Sequence, residues 1–286
     1  MHASTAIRVL PRCPLERQPT SALPSYAELH CLTHFSFQRG ASSPEDLVRR
    51  AWALGYAALA ITDECSVAGV VRAWKALRDG TQALEMDEAD EAWQHLQAAR
   101  AALGVHEPLQ LLYGSEFRFA GQGTLVALAR DLESWGALCT FITTCRRAAP
   151  KGDYRLPPLA DALTALPGCE LLTALPGCEL LWSPAHGTLD TPESIAACER
   201  WISAAGQLDL RITLLAELHG AADDALRLAQ LQQLGQAGGC PLAAAGDVHL
   251  HVRAAKPLHD VMTPIRLGKP VHACGFALHA NGERDL

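Results

Sequence analysis

Four short polar motifs each close an apolar, β-prone run of this chain: Glu28-Leu29-His30-Cys31-Leu32, Ile61-Thr62-Asp63-Glu64, Gly114-Ser115-Glu116-Phe117 and Gly246-Asp247-Val248-His249. Histidines and carboxylates repeated at strand ends are what a metal-dependent hydrolase needs. Borderline ions such as Zn2+ and Mn2+ accept mixed imidazole and carboxylate donors, and two or three such ions can polarise a phosphodiester. Side chains two apart on a strand share a face. That groups Asp247 with His249, Glu217 with His219, and His30 with Leu32 and His34. With Asp63, Glu64 and Glu116 they outline a polar cavity, although as a set of metal ligands the pattern is incomplete.

Such groups need a scaffold that gathers strand ends. Strand-like runs are expected at 26–32, 57–63, 109–117, 124–129, 180–182, 211–219 and 241–249. Ser43-Pro44-Glu45-Asp46 is a helix start, with a capping serine, proline at the first helical position and an acid three residues after the cap; that helix should stop at Gly55. A second helix is expected over 66–78 with Val67, Val70, Val71 and Trp74 inward, and others over 131–147, 192–205, 223–236 and 254–267. Repeated βα units with continuous apolar strands imply a mostly parallel sheet covered by helices. Their number favours a closed or nearly closed barrel, in which functional groups collect at the carboxyl ends of the strands.

Three segments break the rhythm. Residues 1–24 carry four prolines and no periodicity, as a flexible leader would. Residues 80–107 hold an acidic run flowing into an alanine-rich helix, which reads as a solvated insertion. The nonapeptide LTALPGCEL at 163–171 is repeated at 172–180, a local duplication that a surface loop tolerates cheaply because closure entropy grows slowly with length.

The chain has 286 residues, 49% of them hydrophobic, enough for a full core. Its formal charge of −7 argues against a surface that grips DNA by neutralising phosphates. The ten cysteines form no CxxC pair and most sit in apolar stretches, the usage of a reduced, cytoplasmic protein. Neither a signal peptide nor a membrane span is evident.

The phrases ALAITDECS, AGDVH and IRLGKPV…CGFALH, together with YAELHCLTHFSFQRGAS, resemble the PHP domain at the N-terminus of bacterial C-family DNA polymerases, closest to the error-prone, damage-tolerant branch. The likeness covers nearly everything after residue 25 apart from the acidic insertion and the duplication. It implies a distorted seven-stranded βα barrel over 25–270, with 271–286 starting the connection to a polymerase module. Family-like sequence runs to the last residues, so a fragment of a longer polymerase is expected. Active members of the family bind up to three metals and hydrolyse phosphoesters, and some act as proofreading 3′–5′ exonucleases.

Carried over residue by residue, the resemblance makes His30, Glu116, Asp247 and His249 metal ligands. It also makes the losses explicit. Leu32 stands where a second histidine should be, Arg39 replaces an acidic ligand, and Glu64 replaces the histidine after Asp63. A residual Zn or Mn site, or none, is then expected, with Mg2+ serving only the full-length polymerase, and His34 is a candidate substitute ligand. The leading expectation is a largely structural PHP domain of a translesion polymerase, meeting DNA only through the whole enzyme. Accessory proteins of a mutagenesis complex are further candidate partners. The alternative is a residual metal-dependent phosphoesterase or exonuclease.

Overall fold

The computed structural model describes residues 25–156, 174–185, 187–207, 210 and 212–286. The expected leader and the first nonapeptide copy lie outside these residues. Seven strands, β1 (Ala27–Glu28), β2 (Ala58–Ile61), β3 (Gln110–Phe119), β4 (Gly123–Ala129), β5 (Glu179–Pro184), β6 (Ile212–Glu217) and β7 (Leu242–Ala245), form one sheet in that order. Pairing is parallel except along both edges of β4, which is antiparallel to β3 and β5. The last residues of the second nonapeptide copy, Glu179 and Leu180, open β5.

Beyond β1 and β7 the sheet meets itself. Cys31 bridges Val248 in parallel, with Leu32 N–H donating to Val248 O and Val248 N–H to His30 O, each at 2.8 Å. The result is the distorted, mostly parallel βα barrel that the strand spacing predicts. Ala60, Val126, Leu128, Leu181, Leu215 and Ala245, all strand residues, pack together as its inner layer. The helices pack on the outer face, around two larger apolar clusters.

Helix α1 (Pro44–Ala53) starts and stops where the sequence signals it: Ser43 Oγ accepts from Asp46 N–H, and Gly55 follows in the left-handed region at φ 74°. It buries Leu47, Val48, Ala51 and Trp52. Helix α2 (Val70–Glu85) begins one turn later and ends two turns later than expected. The later start resets its phase, so Val70, Ala73 and Gly80 face inward while Val71 is 68% and Trp74 44% exposed, opposite to the sequence expectation for these two.

Helix α3 (Glu91–Ala102) is the alanine-rich helix expected in 80–107, but it is not wholly solvated. Its acidic residues are exposed, but Trp93 and Arg100 are buried against α1. The Arg100 guanidinium lies 4.7 Å from the Trp52 ring and donates to the carbonyls of Trp52 and Tyr56, so burial leaves its charge well partnered. Trp93 can seat only because residue 80 has no side chain, since a Cβ there would fall 2.1 Å from its indole. Gly→Ala in a helix normally gains up to about 1 kcal/mol. Here the sign reverses: Gly80→Ala should lower the thermal midpoint, through an overpacking cost of roughly 1–3 kcal/mol.

The outer ring continues with α4 (Leu132–Arg147), closed by a capping box between Asp131 and Ser134. It is completed by α5 (Pro192–Gln207), α6 (Asp224–Gly238) and α7 (Lys256–Leu267). Among the described residues no helix is long and apolar enough to cross a membrane, and every described cysteine is free.

Candidate functional site

Strand register aims the polar groups. Val126 of the inner layer pairs with Glu116 on one side and Leu181 on the other, so Glu116 shares the inner face. Counting two residues on from Leu181 and Leu215 gives Ser183 and Glu217, inward at the carboxyl ends of β5 and β6. Asp247 lies past the end of β7 with φ 43° and reaches the mouth through its contacts with Arg284 and His249. His30 reaches the same mouth by an irregularity. Leu29 packs on the inner layer and Cys31 on the outer, so alternation slips by one between them. The buried carboxylate of Glu28 holds that kink, accepting from the backbone N–H of His30 at 2.9 Å and of Gly246 at 3.0 Å.

Across the mouth runs an unbroken chain of alternating donors and acceptors. Tyr154 Oη donates to Glu64 Oε1 at 2.8 Å, and Arg39 Nη1 donates to Glu64 Oε2 at 2.6 Å and also to Glu116 Oε1. His30 lies between Glu116 Oε2, 2.7 Å from its Nε2, and Glu217 Oε1, 2.6 Å from its Nδ1. Ser183 Oγ ends the chain by donating to Glu217 Oε2 at 2.6 Å. Beside it, Arg284 pairs with Asp247 Oδ2, and His249 Nε2 lies 3.1 Å from Asp247 Oδ1. A cleft of about 550 Å³ opens over this strap, lined in part by Glu64, Tyr154, Glu217, Asp247 and Arg284.

Electrostatics fixes the protons. Burial disfavours a charged His30, but the carboxylates of Glu217 and Glu116 outweigh it and push its pKa up to about 9, so it is an imidazolium donating from both nitrogens. Burial would likewise raise Glu116 and Glu217. Arg39 and His30 hold Glu116 well below the ordinary carboxylate range, and His30 does the same for Glu217. The strap therefore reads minus, plus, minus, plus, minus from Glu64 to Glu217.

The sequence-derived residues divide into those in the strap and those elsewhere. His30, Glu64, Glu116 and Glu217 are members, with Asp247 and His249 adjoining. Asp63 is not part of the cavity. Its carboxylate is spent on Thr33 and Ser36, which anchors the loop carrying Arg39, and burial raises its pKa. His34 is no substitute ligand: the chain turns after Cys31, the strand alternation ends with it, and the side chain is exposed beside Phe35. His219 turns to the carbonyl of Gly246 at 3.0 Å, with burial and Arg284 pressing its pKa down to about 4.

Arg284, Ser183 and Tyr154 escaped the sequence reading. Arg284 arrives because the C-terminal segment folds back: Asp285 bridges Leu250, and His249 N–H donates to Arg284 O at 2.9 Å. No local spacing signals that return.

Several metals do not fit this arrangement. Guanidinium groups sit on Glu116 and Asp247, both ring nitrogens of His30 are engaged, and the buried Leu32 offers no donor. One donor atom each of His30, Glu116 and Asp247 lies within 4.8 Å of the others. A single ion would find that set only if both arginines withdrew and His30 lost a proton.

Residues 28–178 match the PHP domain family. The error-prone DNA polymerase of Azoarcus sp. is 46% identical over 273 residues, which cover 93% of this chain and 24% of that protein. That of Dechloromonas aromatica is 42% identical over 269 residues, covering 93% of this chain and 22% of that protein. The chain thus spans about a quarter of the length of these curated relatives. An amidohydrolase structure from Chromobacterium violaceum aligns over 79% of this chain and 88% of that one, at 15% identity and a TM-score of 0.47.

Proposed function

The chain belongs to the PHP domain family, and from that premise we propose that it is the PHP domain of an error-prone DNA polymerase whose metal site has been replaced by ion pairs and whose role is structural. One observation carries this reading. The carboxylates of Glu116 and Asp247, which the family resemblance makes metal ligands, carry the guanidinium groups of Arg39 and Arg284. Two fixed cations neutralise these acids, supplied by the chain itself rather than by solvent ions. They cannot ligate a water or lower its pKa as a metal does, so the attacking hydroxide of a metallohydrolase has no source here.

In this reading the template-directed step, synthesis past lesions during DNA repair with Mg2+, belongs to the other three quarters of such a polymerase. Contact with DNA and with accessory proteins would be made by that whole enzyme in the cytoplasm.

Hydrolysis of bis(p-nitrophenyl) phosphate in Mn2+ tests the proposal. The rate should be no higher for the wild-type chain than for Glu116→Gln. A Mn2+-dependent rate that disappears in Glu116→Gln and in Asp247→Ala would restore the phosphoesterase or exonuclease alternative and overturn the structural reading.

A further inference from the structure

Behind the strap, three histidines from separate elements converge. His249 follows β7, His259 lies on α7, and His279 belongs to the C-terminal segment. Their ring centroids are 5.3, 5.3 and 4.8 Å apart. Nδ1 of His249 lies 3.2 Å from Nε2 of His259, and one ring nitrogen from each of the three lies within 4.8 Å of the other two. Nitrogens bound tetrahedrally at about 2.0–2.1 Å from an ion stand about 3.3 Å apart. The first pair already has that span, and the third nitrogen is about 1.5 Å or less beyond it.

We propose that His249, His259 and His279 bind one Zn2+ ion, separately from the carboxylates of the strap. The family resemblance assigns no ligand role to His259 or His279. Asp247 prepares it. Its carboxylate accepts from His249 Nε2 at 3.1 Å, which leaves the Nδ1 lone pair directed at the cluster, the arrangement that orients metal-bound histidines generally. His259 Nε2–H then donates to that lone pair without metal, and releases it by carrying its proton on Nδ1 when the ion binds.

Nothing else satisfies the third ring: no hydrogen bond joins the His279 imidazole to another described residue. His249 and His259 are buried and His279 is partly exposed, giving the ion an entry side. The bound ion would tie α7 and the C-terminal segment to the barrel at His249.

Co2+ titration of the reduced, chelator-treated full chain tests this, with Zn2+ as competitor. One Co2+ per chain is expected, with the visible bands of a tetrahedral nitrogen site and no thiolate charge-transfer band, and Zn2+ should displace it. His259→Gln and His279→Gln should each weaken binding by more than the roughly 10–100-fold that loss of an outer hydrogen-bond partner costs. Should either variant misfold, Zn2+ protection of His259 and His279 in the wild-type chain from diethylpyrocarbonate, mapped by mass, gives the same answer. The proposal is overturned by an absence of bound metal, by a thiolate band, or by unprotected histidines. Binding that survives both histidine variants but is lost in Glu116→Gln also overturns it, because the ion would then sit in the strap.

Discussion

Replacing Arg39 by methionine should cost roughly 3 kcal/mol of unfolding free energy, the low end of the penalty for removing a partner from a buried charge, because His30 still pairs with Glu116. Glu116 is fully buried and Arg39 is 9% exposed, so solvent cannot take over the charge that the substitution uncovers. For a chain of this size the midpoint should fall on the order of 10 °C. The same logic predicts partial rescue. Glu116→Gln in the Arg39→Met background removes the stranded carboxylate, so the double variant should be clearly more stable than the sum of the two single losses. A single-variant loss under about 1 kcal/mol, the worth of an exposed pair, would show that solvent screens the strap and that it does not brace the barrel. Chemical denaturation of the three variants beside the wild-type chain decides it.

Stability of the metal-free protein should peak near pH 6.5 and fall on both sides, for different reasons. On the alkaline side the cause is His30. Its folded pKa, about 9, stands above the unfolded value of 6.5, so its contribution is complete below pH 6.5 and is lost as pH rises through 9. On the acid side the first cause is the histidine cluster. Burial presses His249 to about 3, with Arg39 adding to it, and presses His259 to about 4 and His279 to about 3, with His249 adding to both. The unfolded chain therefore binds protons that the folded chain refuses. Stability drops from pH 6.5 downward, at up to about 1.4 kcal/mol per pH unit for each such group. Glu116 and Glu217, held low in the fold, add to the loss below about pH 4.5. Denaturation midpoints measured across pH 4–10 check both arms. His30→Gln should flatten the alkaline arm between pH 6.5 and 9 and leave the histidine part of the acid arm in place. An alkaline arm unchanged in His30→Gln would remove His30 from the account.

What the sequence disclosed follows the range of the interactions involved. The start of α1 was legible because a cap is written in four adjacent residues, and the barrel because apolar runs and helix signals alternate along the chain. Glu116 was legible because strand register is counted in twos, and Asp247 because it belongs to the Asp-x-His phrase that the family resemblance singles out. The misses are of another kind. His34 was assigned by extending that count past the point where the strand ends, and Trp74 by beginning α2 a turn too early. Arg284 meets Asp247 through a returning segment, and His30 meets Glu217 across 187 positions. Such partners are chosen by the closed barrel, so no local pattern announces them.

The alternation of charge along the strap constrains how these positions can change. Each inner member neutralises the two beside it, so losing His30 leaves Glu116 and Glu217 facing each other's charge, and losing Glu217 leaves His30 with a proton it no longer needs. Substitutions here are therefore strongly epistatic. A change tolerated at one link is one whose neighbour has already changed, and the mouth of the barrel can drift only in matched pairs.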